Sequence, residues 1–240
     1  MTQGIHPLAA NMINQLNRAA TVSNNLANVN TVGFKEDFLS QGSFNEYLTK
    51  QNERDEPINE LSAVMDTIPK IDQDYSDNRV GGISQTGNPL DFAITSSDKY
   101  FKIRDDKGQL FLTRDGSFKN INNQLVTANG YKVLDKNNQP INLSNGTDNV
   151  FKDIALVSAN LTTKDKVGNN SYKVDDTTTL KNENSVNFVK QGYLEHSNVN
   201  TITSMTALIE AQREFEQSQK AITGIDDINR KVISDVGTTR

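Results

Sequence analysis

An amphipathic segment stands at each end of this chain, and a β-patterned stretch separates the two. Residues 5 to 29 carry Ile5, Leu8, Met12, Leu16, Ala19, Val22 and Leu26, at spacings of three, four, four, three, three and four. That is a helical or heptad stripe. Residues 198 to 236 carry another. There Leu208, Phe215 and Ile222 recur every seven positions, and Ala211, Ser218, Ile225 and Val232 fill a second seven-residue register. Small residues at two of those positions allow a second helix to approach closely. A lone helix gains nothing from an apolar stripe in water, since most helical stability comes from packing that face. Each end therefore needs the other end, or a neighbouring subunit, as cover. Taken alone, the first segment fits a surface helix on a globular domain as well as it fits a multi-subunit bundle.

The first helix should stop near Val29-Asn30. Asn28 and Asn30 suit the left-handed geometry of a C-terminal cap, Gly33 adopts it without steric cost, and Phe34 supplies an apolar anchor just beyond. Residues 36 to 85 hold mixed charge, Pro57, Pro69 and weak periodicity. They read as an extended connector, with Asn59 to Met65 a possible short helix and Ile68 to Tyr75 a possible strand. Gly81-Gly82 reads as a hinge.

From about 88 to 160 strands and turns take over. Phe101 and Ile103 alternate with Lys102 and Arg104, and Leu110 and Leu112 with Phe111 and Thr113. Asp106-Lys107-Gly108, Asn122-Asn123 and Asn129-Gly130 mark turns, and Asp115-Gly116 carries a hairpin signal. Short strands at this spacing predict an antiparallel sheet or small barrel. Residues 160 to 190 are polar, with Tyr172-Lys173-Val174 a candidate strand. The Asp175-Asp176 pair lacks the alternating acidic loop pattern of a calcium site and reads as a solvated turn.

Composition narrows the function. The apolar fraction is 35%, tryptophan is absent, and the net charge is −5 with a pI near 5.1. An acidic chain lacks the basic stripe of a nucleic-acid surface and the polybasic cluster of a membrane anchor. No apolar run approaches the roughly 18 residues of a membrane span. The first residues have neither the basic region nor the continuous apolar region of a cleavable secretory signal, so none is expected. Without cysteine there is no disulfide framework and no thiolate metal site.

Catalytic signatures are missing too. His6 and His196, the two histidines, have no neighbouring ligand at metal-site spacing. There is no nucleophile elbow, phosphate-binding loop or dinucleotide fingerprint. Carboxylates are plentiful enough for a glycan-hydrolysing pair. Asp115 is the tempting member, but the first residue of a turn, bonding its own backbone, accounts for it better. No catalytic, cofactor-binding or metal-binding residue is assigned.

Three runs resemble a known family. "NNLANVNTVGFK", Asn24 to Lys35, is similar to the N-terminal signature of flagellar rod and hook axial proteins. "GYLEHSNVNTITSMTALIEAQREFEQSQKAI", Gly192 to Ile222, resembles their C-terminal signature. "TGNPLDFAI" (Thr86 to Ile94), "TRDGSF" (Thr113 to Phe118) and "LVTANGYKVLD" (Leu125 to Asp135) resemble their β-domain. The family's Gly-rich aromatic turn before the first strand is replaced by Ser96-Ser97-Asp98-Lys99-Tyr100-Phe101. The stretch before the C-terminal signature is short for a distal rod subunit, which favours the proximal rod, with the distal rod next.

The resemblance implies an α+β chain with coiled-coil-like terminal helices and a central antiparallel β-domain. Its expected parts are an N-terminal inner-tube helix (1–32), a connector (33–85), the β-domain (86–193) and a C-terminal inner-tube helix (194–240). The implied partners are copies of itself, other flagellar axial proteins and the flagellar export apparatus, with no nucleic acid, no membrane insertion and no cofactor. The implied place is the periplasmic rod. Leu8, Met12, Leu16, Leu26, Leu208, Phe215, Ile222 and Ile225 are the expected subunit-interface residues. A hook-type or other axial subunit is a competing reading, against which the chain length counts, since a hook protein would carry a much larger outer domain. A periplasmic glycan-acting enzyme on an axial-protein frame is another, and no inserted domain of adequate size is visible for it.

Overall fold

The structure is a computed structural model that describes residues 5–43, 69–144, 150–159, 166–168, 170–174 and 180–238. The proposed helix at Asn59 to Met65 and the Asp175-Asp176 turn lie outside those residues. The chain divides into two compact units. One comprises Met1–Asn24, Phe38–Asp74 and Ile202–Arg240, and the other Asn25–Asp37 and Tyr75–Thr201.

The first unit holds both long helices, α1 (Ile5–Ala27) and α2 (Thr201–Thr238). Pro7 sits in the first turn of α1, where its missing N–H interrupts no helical bond. Asn11 Nδ2 donates to Ser218 Oγ at 3.0 Å, and Arg18 lies 3.9 Å from Glu210. Residues whose numbers add to 228 or 229 therefore face each other, so the helices run antiparallel. Ile5 then lies across from Gly224, and α2 continues to Thr238, roughly 20 Å further at about 1.5 Å per residue. Strands β1 (Asp37–Ser43) and β2 (Pro69–Ser76) form a two-stranded sheet. The stretch read as a connector thus contributes strands, and the strand read at Ile68 to Tyr75 is β2.

The second unit is the β-domain. Its main sheet is built on β5 (Lys99–Arg104), whose one edge pairs with β6 (Leu110–Thr113). The other edge is shared between β10 (Leu156–Ser158) at Lys99–Phe101 and β9 (Lys132–Val133) at Ile103–Arg104. Beyond β9 lie β8 (Gln124–Val126) and β7 (Lys119–Ile121). Beyond β6 lie β12 (Ser171–Lys173) and β11 (Lys166–Val167), and β13 (Lys181–Glu183) flanks β10. Every pairing is antiparallel. The β7–β8 turn is Asn122-Asn123, with φ of 53° and 62°, values that suit a hairpin turn and that asparagine tolerates.

Alternation along β5 makes two cores. Phe101 and Ile103 join Phe92, Phe118, Leu125 and Ile154 on one face, while Tyr100 meets Leu112, Val157 and Tyr172 on the other. Aromatic rings fill much of the space: Phe101 and Phe118 meet edge-on at 5.2 Å, as do Tyr100 and Tyr172 at 5.4 Å.

Asp115-Gly116 does not close a hairpin. β6 and β7 are not neighbours in the sheet, so the chain leaves β6 and crosses to β4 (Phe92–Ile94). Phe92 N–H donates to the Gly116 carbonyl at 3.0 Å, and a Cβ on Gly116 would lie 1.7 Å from the Phe92 carbonyl oxygen. Gly116 is there for close backbone approach. Two strands ahead of α2 were also not foreseen: β14 (Val189–Gln191) pairs with β4, and β15 (Tyr193–Glu195) with β3 (Ile83–Gln85). They return the chain to within a few residues of where the domain began.

Candidate assembly site

Strand β15 carries Glu195 into the interior, where its carboxylate collects four donors. Arg114 Nε and Nη2 donate to Oε2 at 3.0 and 2.9 Å. Lys35 Nζ donates to Oε1 at 2.6 Å, and the Gly81 N–H to the same oxygen at 2.9 Å. All three charged side chains are essentially solvent-free. The remaining donors are also met: Lys35 Nζ reaches the Arg79 carbonyl, and Arg114 Nη1 the carbonyls of Ser96, Ser97 and Lys99. A buried charge is tolerated only when paired and hydrogen-bonded in this way. The cluster holds two cations for one carboxylate. Burial first, and the Arg114 charge second, lower Lys35 to about 8, against the opposing pull of Glu195.

Backbone geometry locks the same junction. The Gly33 N–H donates to the Glu195 carbonyl at 2.8 Å. Gly33 has φ +68°, and a Cβ there would lie 2.5 Å from the Arg114 backbone. Asn25 bonds the Asp37 main chain in both directions, at 2.8 and 3.0 Å, in the manner of a strand partner. Asn198 Oδ1 accepts from the Glu36 N–H, and its Nδ2 donates to the Asp77 carbonyl, both at 2.8 Å.

The helices are organised differently. On α2 the less exposed positions include Ser204, Leu208, Ala211, Phe215, Ser218, Ile222, Ile225 and Asn229, at alternating spacings of four and three. Of these, Leu208, Phe215, Ile222 and Ile225 are half-buried, and the fully buried members are the small ones, Ser204, Ala211 and Ser218. On α1, Leu8, Met12 and Leu26 are half-buried, whereas Leu16 is 54% exposed and Gln15 takes the inner position at 3%. The stripe read from sequence placed Leu16 on the same face as Leu8 and Met12. The observed inner face instead runs Leu8, Met12, Gln15, Ala19, Val22, Leu26, an unbroken four-three alternation, so Leu16 falls one position outside it. Ile13 is also outward, at 59%.

Asp115 behaves as a turn residue. Its Oδ1 accepts from the Ser117 N–H at 2.9 Å and from the Ser117 hydroxyl at 2.6 Å, and burial raises its pKa. It borders a 410 Å³ cleft with Thr113, Thr127 and Tyr131. His196 Nε2 lies 2.7 Å from Ser84 Oγ, and His6 is exposed. Among the described residues no helix is long and apolar enough to cross a membrane.

Three family models match the chain in order: "Flagella basal body rod protein" over residues 10–35, "Flagellar hook protein FlgE/F/G D1 domain" over 94–159 and "Flagellar basal body rod FlgEFG protein C-terminal" over 190–235. The chain is 30% identical to the flagellar hook-basal body complex protein FlhP of Bacillus subtilis, over 90% of this chain and 93% of that one. The chain belongs to the flagellar basal-body rod family. It is also 29% identical to the rod protein FlgG of Bacillus subtilis, with 98% and 99% of the two chains aligned. To the rod protein FlgF of Mesorhizobium japonicum it is 31% identical, over 84% of each.

Each matched segment of this rod-family chain supplies one member of the buried cluster. Lys35 ends the first, Arg114 lies in the second and Glu195 opens the third. The three motifs found in the sequence thus converge on a single carboxylate. Reading for interface residues passed over all three charges. The available signal was a full charge set in an apolar or turn motif, Lys35 directly after Phe34 and Arg114 directly before Asp115-Gly116.

Proposed function

We propose that this chain is a structural, non-enzymatic subunit of the proximal rod. It would be exported by the flagellar type III apparatus and assemble with its own copies and other axial proteins into the periplasmic driveshaft that turns the hook. The observation that carries the reading is that both helices hold more apolar surface than they cover on each other. Ile13 and Leu16 on α1, and Ile202, Met205 and Ile209 on α2, point outward. Monomeric proteins keep such contiguous patches small, and larger ones mark interaction sites. The proximal assignment rests on the short stretch ahead of the C-terminal signature and on the irregular acidic segment at 36 to 80. The export and torque roles rest on the family resemblance.

A motility assay with basal-body imaging tests this. Phe215→Asp places a charge on the inner face of α2 and is expected to abolish motility and leave rods incomplete, with the β-domain still folded. Gln217→Asp, on the exposed side, is expected to preserve motility. Complete rods with Phe215→Asp would overturn the assembly role of this face. Imaging of a tagged subunit at the hook-proximal end of the rod would overturn the proximal assignment alone.

A further inference from the structure

The β-domain carries a 410 Å³ cleft that takes no part in the buried charge cluster. Three of the motif runs meet on it. Thr31 comes from "NNLANVNTVGFK", Asp115 from "TRDGSF", and Thr127, Asn129 and Tyr131 from "LVTANGYKVLD". Two of its walls are held in place by their own hydrogen bonds. The Thr127–Tyr131 turn closes through the Thr127 N–H to the Tyr131 carbonyl at 2.8 Å, the Gly130 N–H to the Thr127 carbonyl at 3.0 Å and the Tyr131 N–H to Thr127 Oγ1 at 3.1 Å. Asp115 is fixed by the two bonds that Ser117 donates to its Oδ1. A pre-formed cleft of this volume is in the range of small-ligand sites.

The chemistry of the cleft is one-sided. Asp115 is half-buried, and no lysine, arginine or histidine stands in the lining. Among the described residues Asp115 has no ion-pair partner, and its Oδ2 has no hydrogen-bond partner. Burial raises its pKa against the Ser117 bonds, which lower it. Glu195, by contrast, has two cations to itself, as a carboxylate drawn out of water ordinarily requires. The same lining holds Phe111 and Tyr131, stacked at 5.5 Å with their rings 7° apart. Phe111 is buried and Tyr131 half-buried, so the aromatic surface left open is that of Tyr131. A carboxylate with a spare oxygen and an open aromatic ring together select a planar cation, which donates to the first and stacks on the second.

We infer that this cleft is a docking site for an arginine side chain presented by a separate partner protein. The guanidinium donates to Asp115 Oδ2 and lies on the Tyr131 ring. Its remaining donors find acceptors in the Asn129 side chain and in Thr31 Oγ1, which donates to Asn28 and keeps lone pairs for a further bond. Lysine suits the site less well, because its ammonium is a compact, strongly hydrated point charge with no plane to stack. The β-domain of a second copy has no arginine to offer. Arg79 is held by Asp77, Arg114 by Glu195, and Arg104 has its Nε buried. The inference needs the cleft alone and is the same for a proximal or a distal subunit.

The test titrates N-acetyl-arginine amide into the dilute full-length chain and follows backbone amides by NMR. Saturable shifts are expected at Ser117 and at Asn129 to Tyr131. The citrulline derivative has nearly the same shape and no charge. It is expected to bind more weakly by roughly tenfold or more, the scale of a hydrogen bond to a charged group. The lysine derivative is expected to bind more weakly than the arginine one. Asp115→Asn keeps the Oδ1 that Ser117 uses and removes the charge, so it should lose as much affinity as citrulline does while its urea midpoint holds. The comparison of arginine with citrulline on the unaltered chain decides the matter even if that variant fails to fold. Equal binding of citrulline, or no saturable shift at these amides, would overturn the site, and tighter binding of lysine would overturn the guanidinium. Sedimentation of the Asp115→Asn chain is expected to match the parent. A loss there would assign the arginine to a second copy and overturn the separate partner.

Discussion

The β-domain and the helix pair use their apolar residues in opposite ways. In the β-domain the large side chains point inward: Phe92, Tyr100, Phe101, Ile103, Leu112 and Leu125 are all buried. In the helix pair the fully buried side chains are small or polar, Asn14, Gln15, Ser204, Ala211 and Ser218, while Ile13, Leu16, Ile202, Ile228 and Ile233 face out. Gln15 Oε1 and Ser204 Oγ are buried with no hydrogen-bond partner among the described residues, a penalty that Arg104 Nε and Asn170 Oδ1 also carry in the β-domain, though its charged centre avoids it. One region buries its large apolar side chains within a single chain. The other leaves several of them exposed, and the proposed assembly with other chains would cover them.

The sharpest way to break this contrast is to attack the centre of the complete region. Glu195→Ala would leave Arg114 and Lys35 buried with no counter-charge. Breaking a buried ion pair in this way costs roughly 3–5 kcal/mol. Urea unfolding followed through the β-domain is expected to show a loss of that size, and an unchanged midpoint would mean the cluster is solvated.

A paired comparison of two phenylalanines comes next. Phe101→Ala removes a ring from the aromatic core and should cost the β-domain roughly 3–5 kcal/mol. Phe215→Ala should leave β-domain unfolding where it was, and instead reduce the amount of protein that sediments as polymer. Near-ultraviolet dichroism on melting and sedimentation read the two effects separately. Equal β-domain destabilisation by both variants would erase the distinction between the regions.

The smallest effect is a pH dependence. Lys35 sits at about 8 in the folded protein, below its ordinary 10.5. Between those values the unfolded chain binds more protons at this site than the folded one, so its contribution to stability rises with pH. The penalty for charging it is fully present below about 8 and fades above. From pH 7.5 to 9.5 the urea midpoint of the parent is expected to gain on that of Lys35→Met. That range ends before unfolded tyrosines titrate near their ordinary 10, where Tyr100, held up at about 12 by burial, begins to act in the opposite sense. A difference that shrinks over the window would reverse the sign assigned to Lys35.

How legible each region was in the sequence follows from how local its determinants are. Both helices and the strands between Phe101 and Val133 announced themselves through periodicity and through turns such as Asn122-Asn123. β14 and β15 did not. "VKQGYLE" has no clean alternation, and its partners, β4 and β3, stand about a hundred residues earlier. The Lys35–Arg114–Glu195 cluster was hidden for the same reason, since Lys35 and Glu195 are 160 positions apart. Leu16 falls one position outside the inner face because three-residue and four-residue steps are both helical. A local stripe does not say which of two adjacent faces meets the partner, and the buried neighbour was a glutamine that hydrophobicity does not flag.

The most direct test of the central claim, a self-sufficient β-domain carrying helices built for other chains, is to remove the helices. Cutting outside Asn25 and Thr201 keeps Lys35, Glu195 and the Asn25 and Asn198 contacts, which a cut at residues 30 and 198 would damage. Sedimentation and urea unfolding of residues 25–201 should show a monomer at every concentration, with a cooperative transition at the midpoint of the full chain's β-domain. A fragment that polymerises, or that lacks a cooperative transition, would contradict the claim.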